Sequence, residues 1–180
     1  YISANGIFWT DAKVAAEART YYGLQGYLAT ITGPEEAKLI GEQATSSGWI
    51  GGSDAATEGV WKWVTGPEAG TTFWNGNASG SSPTYANWNA GEPNNAGNED
   101  YAHVISNIGK WNDLISNYTS SGSLRPRGYI IEYGGMPGDP VVDISASTKI
   151  TIPSINSITE ASRCGSGSVQ LEASTLSTGT

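Results

Sequence analysis

The sequence predicts an α+β fold, in which helical segments come first and strand-like segments gather around a long loop. Three observations carry that expectation. An alanine-rich stretch near the start has small apolar residues at helical spacing, and Val60-Trp-Lys-Trp-Val64 alternates with the period of a half-buried strand. Between Thr65 and Gly97 lies a segment dominated by Gly, Asn, Ser, Pro and Trp, without either period. Loops that long are uncommon in compact domains and are usually functional or disordered. Phe73, Trp74, Tyr85 and Trp88 argue for an ordered one.

Taken in order, Thr10–Tyr22 reads as a first helix with Thr10 as N-cap, stopped by Gly23 and Gly26. Tyr27–Ile31 reads as a short strand. Thr32-Gly-Pro-Glu35 has the spacing of a capping box with proline in the first turn, so a second helix is expected over Pro34–Thr45. Trp49-Ile50, Asp100–Ile105, Lys110-Trp111 and Gly128–Tyr133 supply further strands. Residues 1–134 form the first domain in this reading, and 135–143 have linker composition. Residues 144–180 alternate β-branched and polar residues, as in Lys149–Ile152 and Ser168–Glu172. They are too few to close a sandwich of about 100 residues. This segment is expected to begin a second, truncated all-β domain, which resembles the start of an Ig-like module; a Ser/Thr-rich linker is the alternative reading.

Composition narrows the function. The chain of 180 residues carries 9 basic and 17 acidic residues, a net charge of −8. Nucleic-acid binding has no basic footprint here, and no apolar run is long enough to cross a bilayer. Acidic excess suits cation binding, and equally a solvated acidic surface. The single cysteine, Cys164, rules out an internal disulfide framework and cysteine-based zinc. The chain starts at Tyr1 with no signal-peptide pattern and reads as a processed or excised piece.

The segment Gly91–Asp100, GEPNNAGNED, concentrates carboxylates and amides. It reads either as an ordinary polar loop or as half of a cation cage. Calcium takes about six to eight oxygen ligands from carboxylates, amides, carbonyls and water. Glu92, Asn94 and Glu99 offer three, and Asn112 and Asp113 add an amide and a carboxylate after a strand. Unfilled, such carboxylates would repel one another and raise each other's pKa values.

Taken together, Trp49-Ile-Gly-Gly-Ser-Asp54, Glu58-Gly-Val-Trp-Lys-Trp63, Asn87–Asn95, Glu99-Asp100, Trp111-Asn-Asp113 and Gly128–Glu132 resemble a C-type lectin domain, from about Trp9 to Glu132. The resemblance implies a C-type lectin-like fold, with two helices, small antiparallel sheets and a long calcium-binding loop. It implies that Glu92, Asn94, Glu99, Asn112 and Asp113 ligate a calcium ion that contacts sugar, with Pro93 in a cis peptide bond. It also implies an auxiliary calcium ion on Asp54, Glu58, Asn95 and Asp100. The Glu-Pro-Asn order resembles the type that prefers equatorial 3- and 4-hydroxyls, as in mannose. The galactose-type Gln-Pro-Asp order is absent, and Ala96-Gly97 offer no aromatic to stack on. Glycans are the implied partners, bound weakly per site with avidity from multiple domains. An extracellular, adhesin-like setting is implied too.

The chain departs from the family at the positions of its disulfides, near Ala16, Tyr101, Ser116 and Ile131, where no cysteine stands. This cysteine-free form resembles bacterial surface-protein variants. An alternative within the same fold is a calcium-braced module that binds proteins or ice. An enzyme is not expected: no triad or phosphate loop appears, and His103 reads as a structural histidine. Asn77-Ala-Ser79 and Asn117-Tyr-Thr119 match the N-glycosylation pattern and read as chance polar triplets.

Overall fold

The computed structural model describes residues 1–118, 124–139, 157–158 and 173–174. The chain divides into two compact units, Tyr1–Pro140 and Val141–Thr180. In the second unit, Ser157–Ile158 pairs antiparallel with Ala173–Ser174. The expected Ig-like character of 144–180, together with Cys164, lies outside the described residues, as does Thr119 of the second glycosylation triplet.

Among the described residues, the first unit holds helices α1 (Trp9–Glu17) and α2 (Pro34–Gln43) and ten short strands. These strands are β1 (Ile2–Ser3), β2 (Thr20–Tyr21), β3 (Leu24–Leu28), β4 (Gly48–Ser53), β5 (Val60–Trp63), β6 (Thr72–Asn75), β7 (Tyr101–Val104), β8 (Trp111–Leu114), β9 (Gly128–Tyr129) and β10 (Ile131–Tyr133). The α+β class holds. Strand β4 is the hub of a seven-stranded sheet: it pairs antiparallel with β5 and β7 and parallel with β9. Beyond these, β6 pairs β5, β8 pairs β7 and β1 pairs β9. A smaller sheet runs β10-β3-β2. Every residue of β4 is buried, and its two central glycines explain how. A Cβ on Gly51 would lie 2.1 Å from Thr65 Oγ1, and one on Gly52 2.9 Å from Phe73.

The first helix is shorter than expected. Tyr22 and Gly23 both take left-handed backbones (φ 49° and 84°), so Thr20-Tyr21 folds back against Leu24-Gln25 as a hairpin. The helix therefore ends at Glu17. Thr10 is not the N-cap: Phe8 holds that place without a side-chain cap. Trp9 opens the helix because its indole is buried and donates to Ile50 O at 2.8 Å. The strand expected over Tyr27–Ile31 lies earlier, at Leu24–Leu28. Helix α2 starts at Pro34 as expected, with Gly33 rather than a hydroxyl as N-cap. Its reciprocal bond is displaced by one residue: Thr32 N donates to Glu36 Oε2 at 2.8 Å.

Two apolar clusters support the domain. One gathers Trp9, Ala12, Ala16, Leu28, Trp49, Leu114 and Tyr129, with Tyr101 and Ile131 packed against it. Packed apolar side chains thus occupy the region where the family's disulfides would fall, and the Trp9 and Tyr101 rings lie 4.6 Å apart. The other is aromatic: Trp63 stacks on Phe73 at 4.3 Å, and Trp61 meets Trp88 edge-on at 4.8 Å. His103 is fully buried beside Trp49. Its Nδ1 lies 3.3 Å from Val104 O while Nε2 has no partner. Burial pushes its pKa down to about 4, so the ring is neutral core at physiological pH.

Candidate functional site

The last third of the long loop is pinned by the second cluster. Trp88 is buried and forms a parallel bridge with Trp111. Trp111 N donates to Asn87 O at 2.9 Å, and Asn89 N donates to Trp111 O at 2.8 Å. Strand β8 continues directly into Asn112 and Asp113, so this short pairing sets 92–95 beside those two residues. The Glu92–Pro93 peptide is cis, in agreement with the resemblance.

Asp113 is the centre of the arrangement. Its carboxylate is fully buried and accepts from Asn94 N at 3.1 Å and Asn95 N at 2.8 Å. Asn112 is buried next to it, its amide donating to Asp113 O at 2.6 Å. Glu99 is buried and accepts from Ala96 N at 3.1 Å, while its own N donates to Asn95 Oδ1 at 2.7 Å. Asn94 is exposed, with Oδ1 accepting from Ala96 N at 2.8 Å.

Across the loop, Asp54 follows β4 and is 2% exposed. Its Oδ2 accepts from Gly59 N at 2.9 Å, and its Oδ1 is buried with no partner. Glu58 is exposed and takes the Asn95 amide at 2.7 Å. Asp100 is tied to Asp54 through its carbonyl, Asp54 N to Asp100 O at 3.2 Å. Its carboxylate accepts from Asn98 at 3.1 Å. A chamber of about 30 Å³ lies between Asp54, Glu58, Asn95 and Asp113.

The electrostatics are unfavourable as they stand. Burial pushes the Asp54 carboxyl up to about 7, with the Glu58 and Asp100 charges adding to it. Burial and then the Asp113 charge push Glu92 and Glu99 up to about 7. Burial raises Asp100 as well. Among the described residues the ion pairs found are Lys13–Glu17 and Lys38–Glu42, both on helices and neither at this site. Two buried carboxylate oxygens, Asp54 Oδ1 and Glu92 Oε2, have no hydrogen-bond partner. A hard cation suits such a donor set. Among the described residues no three acidic, cysteine or histidine side chains converge as a ready metal centre. The amide oxygens of Asn94 and Asn112 on one side, and Asn95 on the other, would have to complete the ligation.

Residues 11–121 match the family model of the lectin C-type domain. The chain belongs to the C-type lectin domain family. It is 41% identical over 165 residues to halomucin of Haloquadratum walsbyi, which covers 88% of this chain but only 2% of halomucin. It is 33% identical over 129 residues to a perlucin-like protein of Mytilus galloprovincialis, covering 68% of this chain and 71% of that protein. Among solved structures it is similar to the carbohydrate-recognition domain of mouse scavenger receptor C-type lectin (TM-score 0.51, 27% identity, 78% of this chain and 90% of that one). The C-type lectin-like fold expected from the motifs is therefore the fold of this chain.

Sequence reasoning missed Gly76 and Asn77, which also line the chamber. They arrive through β6, a strand whose Thr-Phe-Trp-Asn sequence carries no clear alternation. Asn98, to which the resemblance gives no role, donates to the Asp100 carboxylate.

Proposed function

We propose that this lectin domain binds carbohydrate through calcium held by Glu92, Asn94, Glu99, Asn112 and Asp113, preferring mannose-type sugars. An auxiliary ion sits with Asp54, Glu58, Asn95 and Asp100 and braces the long loop. The observation that carries this reading is that Asp113, Glu99 and half-buried Glu92 lie about the cis Glu92–Pro93 turn, where burial and then the Asp113 charge raise the other two, and that no ion pair among the described residues involves them. Leaving buried charges uncompensated is costly, and a divalent cation removes that cost.

When bound, calcium with open coordination positions supplies direct ligation of two vicinal hydroxyls. The chain's own groups then discriminate among sugars. The carboxylates of Glu92 and Glu99 accept hydrogen bonds from those hydroxyls, and the amides of Asn94 and Asn112 donate to them. The Glu-Pro-Asn order presents acceptor and donor in the sense that suits equatorial 3- and 4-hydroxyls. A site this open is expected to bind one sugar with Kd on the order of millimolar, or roughly −4 kcal/mol. Several copies of the domain on a secreted or surface protein would supply avidity. No helix among the described residues is long and apolar enough to cross a membrane.

The test is retention on mannose-agarose in calcium and elution with EDTA. Calcium uptake by calorimetry without retention on any glycan would instead favour a calcium-braced protein-binding or ice-binding module.

A further inference from the structure

The turn that follows β6 is built more rigidly than its composition suggests. Asn75 and Ser81 exchange two backbone hydrogen bonds at 2.9 Å, and Gly80 N donates to Asn77 O at 2.7 Å. The Trp74 indole donates to that same carbonyl at 3.1 Å, and Ser79 N donates to Asn77 Oδ1 at 3.1 Å. Gly76 N reaches Gly59 O at 2.7 Å, tying the turn to the residue whose own N–H holds Asp54. A Cβ on Gly80 would lie 2.1 Å from Asn75 O, so only glycine closes the turn this tightly. The result is that Asn77 is held at the wall of the chamber that Asp54, Glu58, Asn95 and Asp113 also line.

That chamber, about 30 Å³, has room for a single ion or water. Asp54 lines it, is 2% exposed, and has its Oδ1 buried without a partner. A hard cation there wants about six to eight oxygens; of the four residues assigned to the auxiliary ion, Asp54, Glu58 and Asn95 line the chamber and Asp100 does not, and they spend part of their capacity elsewhere. Asp54 Oδ2 is taken by Gly59 N, Asn95 Oδ1 by Glu99 N, and one Asp100 oxygen by the Asn98 amide. An amide oxygen has two lone pairs, and on Asn77 the Ser79 N–H uses one. The other would add ligation without adding negative charge to a group that already holds Asp54, Glu58 and Asp113.

We propose that Asn77 is a further oxygen donor to the cation in this chamber, and that the turn 76–80 forms the wall that encloses it. The proposal rests on the reading that the chamber takes calcium. Trp61 lines the same chamber, so terbium bound there should luminesce when excited through tryptophan. The experiment is a terbium titration with calcium competition on the whole chain and two variants, with calcium uptake measured by calorimetry. Asn77→Ser keeps a side-chain oxygen for the Ser79 N–H and withdraws the longer amide. It should weaken the sensitised phase by roughly tenfold, the scale for losing a group that supports a metal site. Asn77→Asp keeps the turn and adds charge, so it should tighten that phase. Equal affinity in both variants, or weakening in both, would overturn the role of Asn77 while leaving the calcium sites intact. No ion uptake by the unaltered chain would overturn the calcium reading and this proposal together.

Discussion

The ammonium of Lys110 donates to Asn87 Oδ1 at 2.7 Å, while the Asn87 amide donates to Gly109 O at 2.9 Å. One asparagine side chain thus clasps the β7–β8 turn from both sides, just before the long loop turns toward Asn112 and Asp113. No disulfide braces this loop, and the clasp sits at its base. Asn87→Ala removes both bonds. A net worth of about 0.5–1.5 kcal/mol per hydrogen bond sets the expected loss at about 1–3 kcal/mol in chemical denaturation. Lys110→Met breaks only the exposed bond and should cost less than Asn87→Ala. Equal losses would mean that the ammonium, not the amide pair, holds the loop.

Trp88 is the apolar half of the same attachment. Its ring lies 4.8 Å from Trp61 and 5.8 Å from Trp111, and it is the buried aromatic of the loop's last third. Trp88→Ala should cost about 3–5 kcal/mol and open residues 76–98 to protease before the rest of the domain. Limited proteolysis followed by mass spectrometry reads the order of cleavage. Cleavage that begins elsewhere would show that the loop does not depend on this ring.

Much of this was legible in the sequence, for physical reasons that differ by element. Strand β5 declared itself because Trp61 and Trp63 face the core while Lys62 does not, and alternation of that kind is a local signal. Glu92, Asn94, Asn112 and Asp113 stood out because oxygen donors cluster there in a fixed order. The β2–β3 hairpin was hidden because its turn places Tyr22, not Asn or Gly, at a left-handed backbone, a conformation bulky residues rarely adopt. Strand β6 was hidden because it exists through pairing with β5 and burial of Phe73. The Asn87 clasp spans 22 residues to Gly109, and no local pattern announces such a bond. The same holds for Asn77, whose place at the chamber depends on the bond from Gly76 N to the distant Gly59 O.

The raised carboxyls make a pH prediction with a definite sign. Without a cation, burial pushes Asp54, Glu92 and Glu99 up to about 7, from ordinary values of 3.8 for Asp and 4.5 for Glu. Between about pH 4 and pH 7 the native state therefore holds more protons than the unfolded chain, and stability falls as pH rises. Half-buried Glu132, also raised chiefly by burial, adds to the same trend. Melting in EDTA should give a lower Tm at pH 7.5 than at pH 5.5. Calcium needs these groups ionised, so it competes with protons and should raise Tm more at pH 7.5 than at pH 5.5. A chelated domain that gains stability from pH 5.5 to 7.5 would contradict the burial of these groups. An unchanged Tm on adding calcium at pH 7.5 would count against calcium bracing.

The order of acceptor and donor around Pro93 supplies the sharpest test of specificity. Glu92 and Asn94 flank the cis peptide and are the residues whose exchange reverses which side accepts and which donates. The double substitution Glu92→Gln with Asn94→Asp keeps one carboxylate, one amide and the net charge, so calcium binding should survive. Acceptor and donor trade places, and the pair of hydroxyls that fits best should change from the equatorial 3,4-pair toward the galactose-type arrangement. Because Ala96 and Gly97 are exposed and offer no ring for a galactose face, the gained affinity should be weaker than the mannose-type affinity that is lost. A glycan array run with calcium and with EDTA measures both. Retained calcium with an unchanged mannose-type preference would remove Glu92 and Asn94 from the sugar site while leaving the auxiliary ion untouched.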